Sequence, residues 1–134
     1  FNVKQGNISE NFKKGTIRGF HYQKNRSDSK ILTCINGSIL NVTIDIRKKS
    51  KTFLKITKNI LNSKNKNSII VPGGCANLFL TLNNNTIIHY YMNEFYNSKK
   101  DMGFRFNDKF FNLKWPITPK IISKKDKSFL DFKI

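Results

Sequence analysis

The sequence is short of acid. Eight Asp and Glu stand against 25 Lys and Arg in 134 residues, a formal net charge of +17 at pH 7. Such a charge points to an acidic partner: nucleic acid, an anionic membrane or a phosphorylated ligand. Against that, lysine far outnumbers arginine, asparagine and isoleucine are just as abundant, and the lysines are scattered over the whole length. Uniform Lys/Asn/Ile enrichment is what an AT-rich coding sequence produces, whereas nucleic-acid surfaces favour clustered arginine able to make bidentate contacts. A nucleic-acid-binding β-barrel therefore stands as the weaker alternative.

Other absences narrow the field further. No apolar run approaches the roughly 18 residues of a membrane span, and no secretory signal is visible, so no membrane partner is expected. Only two cysteines occur, Cys34 and Cys75, far apart and in no Cys-x-x-Cys or Cys/His cluster. Metal binding is improbable at that spacing, and the pair reads as two buried free thiols in a reducing, cytoplasmic setting. The His-x-His plus carboxylate cluster of a metal-dependent oxygenase is absent as well. Asn-x-Ser/Thr sequons at Asn7, Asn36 and Asn41 are ordinary in so Asn-rich a chain. The first residue is Phe1 rather than Met, which reads as a fragment or a processed chain.

What is there is mostly β. "TIRGFHYQ" and "KILTCINGSILNVTIDI" are rich in β-branched and aromatic residues, with Asn36-Gly37 a turn signal between two strands of the second. From Leu40 the alternation is clean. Leu40, Val42, Ile44 and Ile46 share one face; Asn41, Thr43 and Asp45 share the other. A structural sheet puts that polar face in water and a ligand-holding barrel points it inward; periodicity does not choose. "TFLKITKNI", "NSIIVP", "ANLFLTL" and "TIIHYYMN" add further strands, with a tight turn at Pro72-Gly73-Gly74. Short strands without a long amphipathic helix indicate an all-β sandwich or barrel, and no repeat or linker divides residues 1–134 into more than one domain. From Phe95 on the pattern is less regular, Trp115-Pro116 and Pro119 oppose regular structure, and "SKKDKSFL" can start a short helix capped by Ser123.

Chemistry is concentrated in "RGFHYQ". Arg18 is a phosphate or carboxylate ligand by type, and His21 is one of two histidines, the side chain that titrates near neutrality. Strict alternation sets Arg18 and His21 on opposite faces, so a bulge at Gly19 is needed to turn both into one pocket.

"GTIRGFHYQ" also resembles the "RGLH(F/Y)Q" signature of the dTDP-4-dehydrorhamnose 3,5-epimerase family. "KILTCINGSILNVTIDIRKKSKTF" is similar to that family's strand pair ending in "VDIR" with a following Ser-x-Thr-Phe. "IIVPGGCANLFL" resembles its "IPxGFAHGFL", "HYYMNEFYN" its "YKCxxYY", and "MGFRFND" its "GIRWND". "LKWPI" and "ISKKD" resemble its C-terminal Trp-Pro and Ser-x-Lys-Asp. The segments follow in order over essentially the whole chain.

The resemblance implies a cupin-type jelly roll of two packed antiparallel sheets with a short irregular or helical C-terminal segment. It also implies a homodimer, a sugar-nucleotide substrate, and epimerisation at C3 and/or C5 of a 4-keto-6-deoxy sugar without cofactor or metal. By position, His21 matches the family's general base, Asp126 the carboxylate that orients it, and Tyr90 the proton donor. Lys30 matches the lysine beside the keto oxygen. Arg18 falls on a diphosphate contact and Tyr96 on a base-stacking aromatic. Gln5 and Asn7 lie near the nucleotide contacts, Lys125 matches a further substrate contact, and Asp101 sits where the family has a glutamate.

The departures are specific. Asn77 stands where the family has the histidine of "AHGF", and Asn41 where it has the aspartate of "FDVAVDIR". An amide donates and accepts hydrogen bonds but relays no proton near neutral pH. Altered scope is therefore expected, with one carbon epimerised rather than two, or another sugar or nucleotide. The family's N-terminal segment is expected to be missing. The alternative is a non-catalytic or degenerate sugar-nucleotide-binding domain.

Overall fold

The computed structural model describes residues 1–24 and 28–134. Its strands are β1 (Gln5–Asn11), β2 (Thr16–Gln23), β3 (Lys30–Asn36), β4 (Ser38–Ile44), β5 (Ile56–Asn62), β6 (Ser68–Val71), β7 (Ala76–Thr81), β8 (Thr86–Met92), β9 (Asp101–Gly103) and β10 (Ile121–Ile122). One short helix, α1 (Lys124–Ser128), follows, with Ser123 at its N-cap as expected. Four strands form one sheet in the order β1-β8-β3-β6. The other runs β10-β2-β7-β4-β5, with β9 also paired to β2. All these pairings are antiparallel except the two-residue match of β10 with β2. This is the two-sheet, cupin-type jelly roll. Among the described residues no helix is long and apolar enough to cross a membrane.

The larger sheet is buried on both faces. Leu40, Val42 and Ile44 of β4 join Ala76, Leu78 and Leu80 of β7 in one core, with Ile17, Phe20 and Phe104. The irregular C-terminal segment covers that face: Phe106, Phe111, Leu113, Trp115 and Phe132 pack on it, and Phe104 stacks on Phe20 at 4.8 Å. Asp108 holds the cover in place by accepting from the Phe110 and Phe132 amides at 2.9 and 2.6 Å. The opposite face of the same strands turns toward the other sheet, where Ile39 and Phe79 meet Leu32, Cys34, Val71, Cys75 and Ile88. Asn41, Thr43 and Asn77 lie on this second face, so the polar side of β4 points inward rather than into water.

The turn expected at Asn36-Gly37 is present between β3 and β4, and because these lie in different sheets it carries the chain from one to the other. One strand boundary is revised. The segment "TFLKITKNI" becomes strand only from Ile56, because Ser50 and Thr52 are drawn into a turn around Asp45. β1 carries no apolar face in its sequence because its inner side (Gln5, Asn7) borders a polar cavity.

That turn is a compact charge clamp. Asp45, 5% exposed, accepts from Arg47 Nε and Nη2, both at 2.9 Å, from Ser50 Oγ at 2.6 Å and from Thr52 Oγ1 at 2.5 Å. Arg47 in turn lies under the Pro72–Cys75 turn, where a Cβ on Gly74 would come within 3.0 Å of its Cγ. The Arg47 hydrogen bond, helped by Ser50 and Thr52, outweighs burial and holds the Asp45 carboxyl well below the usual carboxylate range. The stabilisation from a depressed folded-state pKa is fully present above the unfolded value of about 4 and is lost as pH falls below that and through the lower folded-state value. Asp45→Asn is expected to lower stability at pH 7 by about 2 kcal/mol and to flatten the decline of the urea midpoint between neutral and strongly acidic pH.

Candidate active site

The base side of the site depends on a break in β2. Its register against β7 shifts between Gly19, opposite Leu78, and His21, opposite Asn77. Gly19 sits at φ +118°, and a Cβ there would come within 2.4 Å of the Asn77 carbonyl oxygen. Only glycine fits, and the resulting bulge directs both Arg18 and His21 into a cavity of about 550 Å³ between the sheets.

His21 is held from behind. Its Nε2 lies 2.6 Å from Asp126 Oδ1, and the other Asp126 oxygen accepts the Gly19 N–H at 3.0 Å. Burial alone would raise the Asp126 carboxyl. The hydrogen bond and charge of His21, the Gly19 N–H and Lys125 outweigh it and keep the group below its usual value. An ionised carboxylate only accepts, so His21 donates through Nε2 and keeps Nδ1 as its acceptor. The Phe129 ring, 6.0 Å away and edge-on, packs against the imidazole.

The facing sheet supplies Tyr90 from β8 and Lys30 from the first position of β3. The Lys30 ammonium lies 5.6 Å from the centre of the Tyr90 ring. Burial pushes the Tyr90 phenol up, with Arg18 opposing, so it stays protonated at neutral pH. Burial also lowers Lys30, with Asp28 opposing. Arg18 Nε donates to Asn11 Oδ1 at 2.8 Å.

Next to His21, Asn77 and Asn41 exchange amide hydrogen bonds at 2.8 and 3.1 Å, and Thr43 Oγ1 donates to Asn77 Oδ1 at 3.0 Å. Asn77 lines the cavity; Asn41 is fully buried behind it and is not part of the wall. At the other end, Tyr96 is fixed twice: its N–H donates to Gln5 Oε1 and its hydroxyl to Asp101 Oδ2, at 2.9 and 3.0 Å. Gln5 also donates to Asn7 at 2.9 Å. Lys125 pairs with Asp101. All the candidate residues except Asp126 and Asn41 line this one cavity.

Asp28, Gln23 and Asn11 were not singled out by sequence. Asp28 and Gln23 line the cavity, and Asn11 anchors Arg18. Their only signal was proximity to Lys30, His21 and Arg18, too weak in a chain so rich in Asn and polar turns. Cys34 and Cys75 are both buried and free.

A family profile described as dTDP-4-dehydrorhamnose 3,5-epimerase matches residues 1–133. The chain belongs to that family. The dTDP-4-dehydrorhamnose 3,5-epimerase of Shigella flexneri is 35% identical over 114 residues, 84% of this chain and 63% of the relative. The solved structure of the Bacillus anthracis enzyme of that name, with TDP and PPi bound, superposes with a TM-score of 0.94 at 37% identity. That match covers 98% of this chain and 75% of the other. A Legionella pneumophila dTDP-6-deoxy-D-glucose-3,5-epimerase, solved in complex with dTDP-4-keto-L-rhamnose, gives a TM-score of 0.88 at 28% identity, covering 96% and 68%. The chain spans just under two thirds of the curated relatives it first matches, 63% and 64% of their lengths.

The Gly19 bulge has no room for a side chain, since a Cβ there would also come within 2.9 Å of the Leu78 Cα. Gly19→Ala is expected to lower stability by about 2 kcal/mol or more, read as a lower urea midpoint, and to shift the His21 imidazole resonances in NMR spectra of the folded protein.

Proposed function

We propose that this chain epimerises a 4-keto-6-deoxy sugar linked to a nucleoside diphosphate, with dTDP as the nucleotide, using no cofactor. The observation that carries the reading is the placement of an oriented histidine and a protonated tyrosine on facing walls of one cavity. Sheets in a sandwich stand about 10 Å apart, room for a sugar ring between His21 and Tyr90.

The 4-keto group acidifies the C–H bonds beside it. His21 Nδ1 takes a proton from the carbon next to the carbonyl, and the electron pair left behind moves onto the keto oxygen as an enolate. Lys30 supplies positive charge to that oxygen. Tyr90 then delivers its phenolic proton to the opposite face of the same carbon, inverting it. The imidazolium and the phenolate return to their starting states by exchange with solvent. Asp126 fixes the tautomer that leaves Nδ1 unprotonated and stabilises the imidazolium. Arg18 binds the diphosphate and Tyr96 stacks on the base, with Gln5 and Asn7 beside it.

The scope is narrower than two centres in this reading. Among the described residues His21 is the only histidine lining the cavity, and its neighbours Asn77 and Asn41 form a closed amide pair with no titrating group. Incubation with dTDP-4-keto-6-deoxy-glucose in D2O, followed by NMR, is expected to place deuterium at one of C3 and C5. No exchange at either position with several nucleotides would sink the epimerase reading in favour of a binding domain. His21→Asn is expected to lower the exchange rate by about 10²–10⁴-fold.

The assembly we propose is a homodimer. The outer face of the four-stranded sheet exposes Ile35, Ile70 and Tyr91, an apolar surface suited to a second copy. Sedimentation equilibrium is expected to give twice the chain mass, and Ile70→Lys to shift the protein toward monomer; a wild-type monomer at micromolar concentration counts against the dimer. The buried free thiols favour a reducing, cytoplasmic setting for the reaction.

A further inference from the structure

Lys30 stands at an end of its sheet. It is the first residue of β3, paired with Met92 at the end of β8 and with Val71 at the end of β6. Chain ends are where structure frays, and a lysine carries its charge on a flexible four-carbon stem. Aiming such a side chain into a cavity requires a hold on the backbone beside it.

Ser29 supplies that hold with each of its polar groups. Its N–H donates to Asn93 Oδ1 at 2.8 Å, and its carbonyl accepts from the Asn93 N–H at 3.3 Å. Its Oγ accepts from the Gly73 N–H at 3.0 Å. Asn93 directly follows β8, and Gly73 lies in the turn that follows β6. Both strands that flank Lys30 are thus tied to the residue before it.

The Gly73 donor is itself fixed. Its turn closes through the Cys75 N–H, which donates to the Pro72 carbonyl at 3.2 Å, and Arg47, clamped by Asp45, lies against Gly74. With the Ser29 hydroxyl committed to this turn, the residues on either side of it, Asp28 and Lys30, both line the cavity. Alternate side chains of an extended chain point the same way, so fixing Ser29 fixes its two neighbours together. The Lys30 ammonium reaches 5.6 Å from the centre of the Tyr90 ring, and the Asp28 charge opposes the effect of burial on it.

We infer that Ser29 is a positioning residue: its hydroxyl, latched to the Pro72–Cys75 turn, and its backbone, latched to Asn93, fix the strand end from which Lys30 reaches over Tyr90. The inference rests on the epimerase reading for its kinetic consequence, the positive charge held at the keto oxygen, but not for its structural one.

The test compares Ser29→Ala, which removes the acceptor for Gly73, with Ser29→Thr, which keeps it, both in the full chain. The first readout needs no turnover. In the ligand-free protein the Lys30 Hε resonances are displaced by the ring current of Tyr90, a displacement identified by its loss in Tyr90→Leu. Ser29→Ala is expected to move them toward the position of an exposed lysine, and Ser29→Thr to leave them in place. In turnover, Ser29→Ala is expected to slow solvent-deuterium exchange into the keto sugar about tenfold, and Ser29→Thr to recover most of the rate. Affinity for dTDP, which has no keto oxygen for Lys30 to meet, is expected by calorimetry to stay within about threefold of wild type. Lys30 resonances that stay in place in Ser29→Ala overturn the inference whatever the rate. An unchanged exchange rate in an active protein also overturns it, as does dTDP affinity falling in step with the rate, the mark of a cavity loosened throughout. Moved resonances, with no exchange even in the wild type, sustain the positioning of Lys30 and discard the epimerase reading instead.

Discussion

The missing Cβ of Gly19 is the constraint on which the site hangs. Any side chain there would collide with the Asn77 carbonyl, so β2 could neither approach β7 at that point nor carry the bulge. Without the bulge, Arg18 and His21 return to opposite faces of the sheet and no single cavity sees both. The same residue donates its N–H to Asp126, so the backbone irregularity that turns the histidine inward also anchors the carboxylate behind it. Bulges recur where a side chain must be re-aimed out of a regular ladder, and here the re-aiming and the electrostatic support come from one residue.

A sheet that must hold polar groups on its inner face has to find its hydrophobic stabilisation elsewhere. In β4 and β7 it lies on the outside, where Leu40, Val42, Ile44, Leu78 and Leu80 are sealed by aromatics from the irregular C-terminal segment. That segment has little secondary structure of its own, yet it forms one of the two cores. It also delivers α1, and with it Asp126, to the edge of β2. The cover and the catalytic carboxylate are parts of one piece of chain, so the packing of Phe104 and Phe132 and the aim of Asp126 are mechanically linked.

Much of this was legible. Runs of β-branched and aromatic residues, with clean alternation from Leu40, marked the strands between Thr16 and Met92, and the Ser123 cap marked the helix start. The run "RGFHYQ" carried the site, and the need for a bulge followed from the spacing of Arg18 and His21 alone. What stayed hidden depends on which sheet a strand joins. A turn at Asn36-Gly37 reads the same whether it closes a hairpin or crosses between layers. Asn41, Thr43 and Asp45 read the same whether the polar face meets solvent or a cavity, and Asn41 proved to lie behind the wall rather than in it. β1 was invisible because its inner residues face polar space, and an apolar stripe is what marks a strand in sequence.

The charge imbalance takes on a different meaning once the acids are located. Eight acidic residues occur in the chain. Asp28, Asp45, Asp108 and Asp126 are buried, and the Asp101 carboxylate is nearly so. Asp side chains are almost never buried unless paired, and Asp45, Asp101 and Asp126 each meet a cationic or imidazole partner. Asp108 instead ties backbone amides of the C-terminal cover. Lysines on the surface can accumulate with little structural consequence, because an exposed charge is solvated wherever it sits. A buried carboxylate that aligns a histidine or closes a turn has no such freedom. The rarity of acidic residues makes each one informative: in this chain an aspartate is more often an internal anchor than a surface charge.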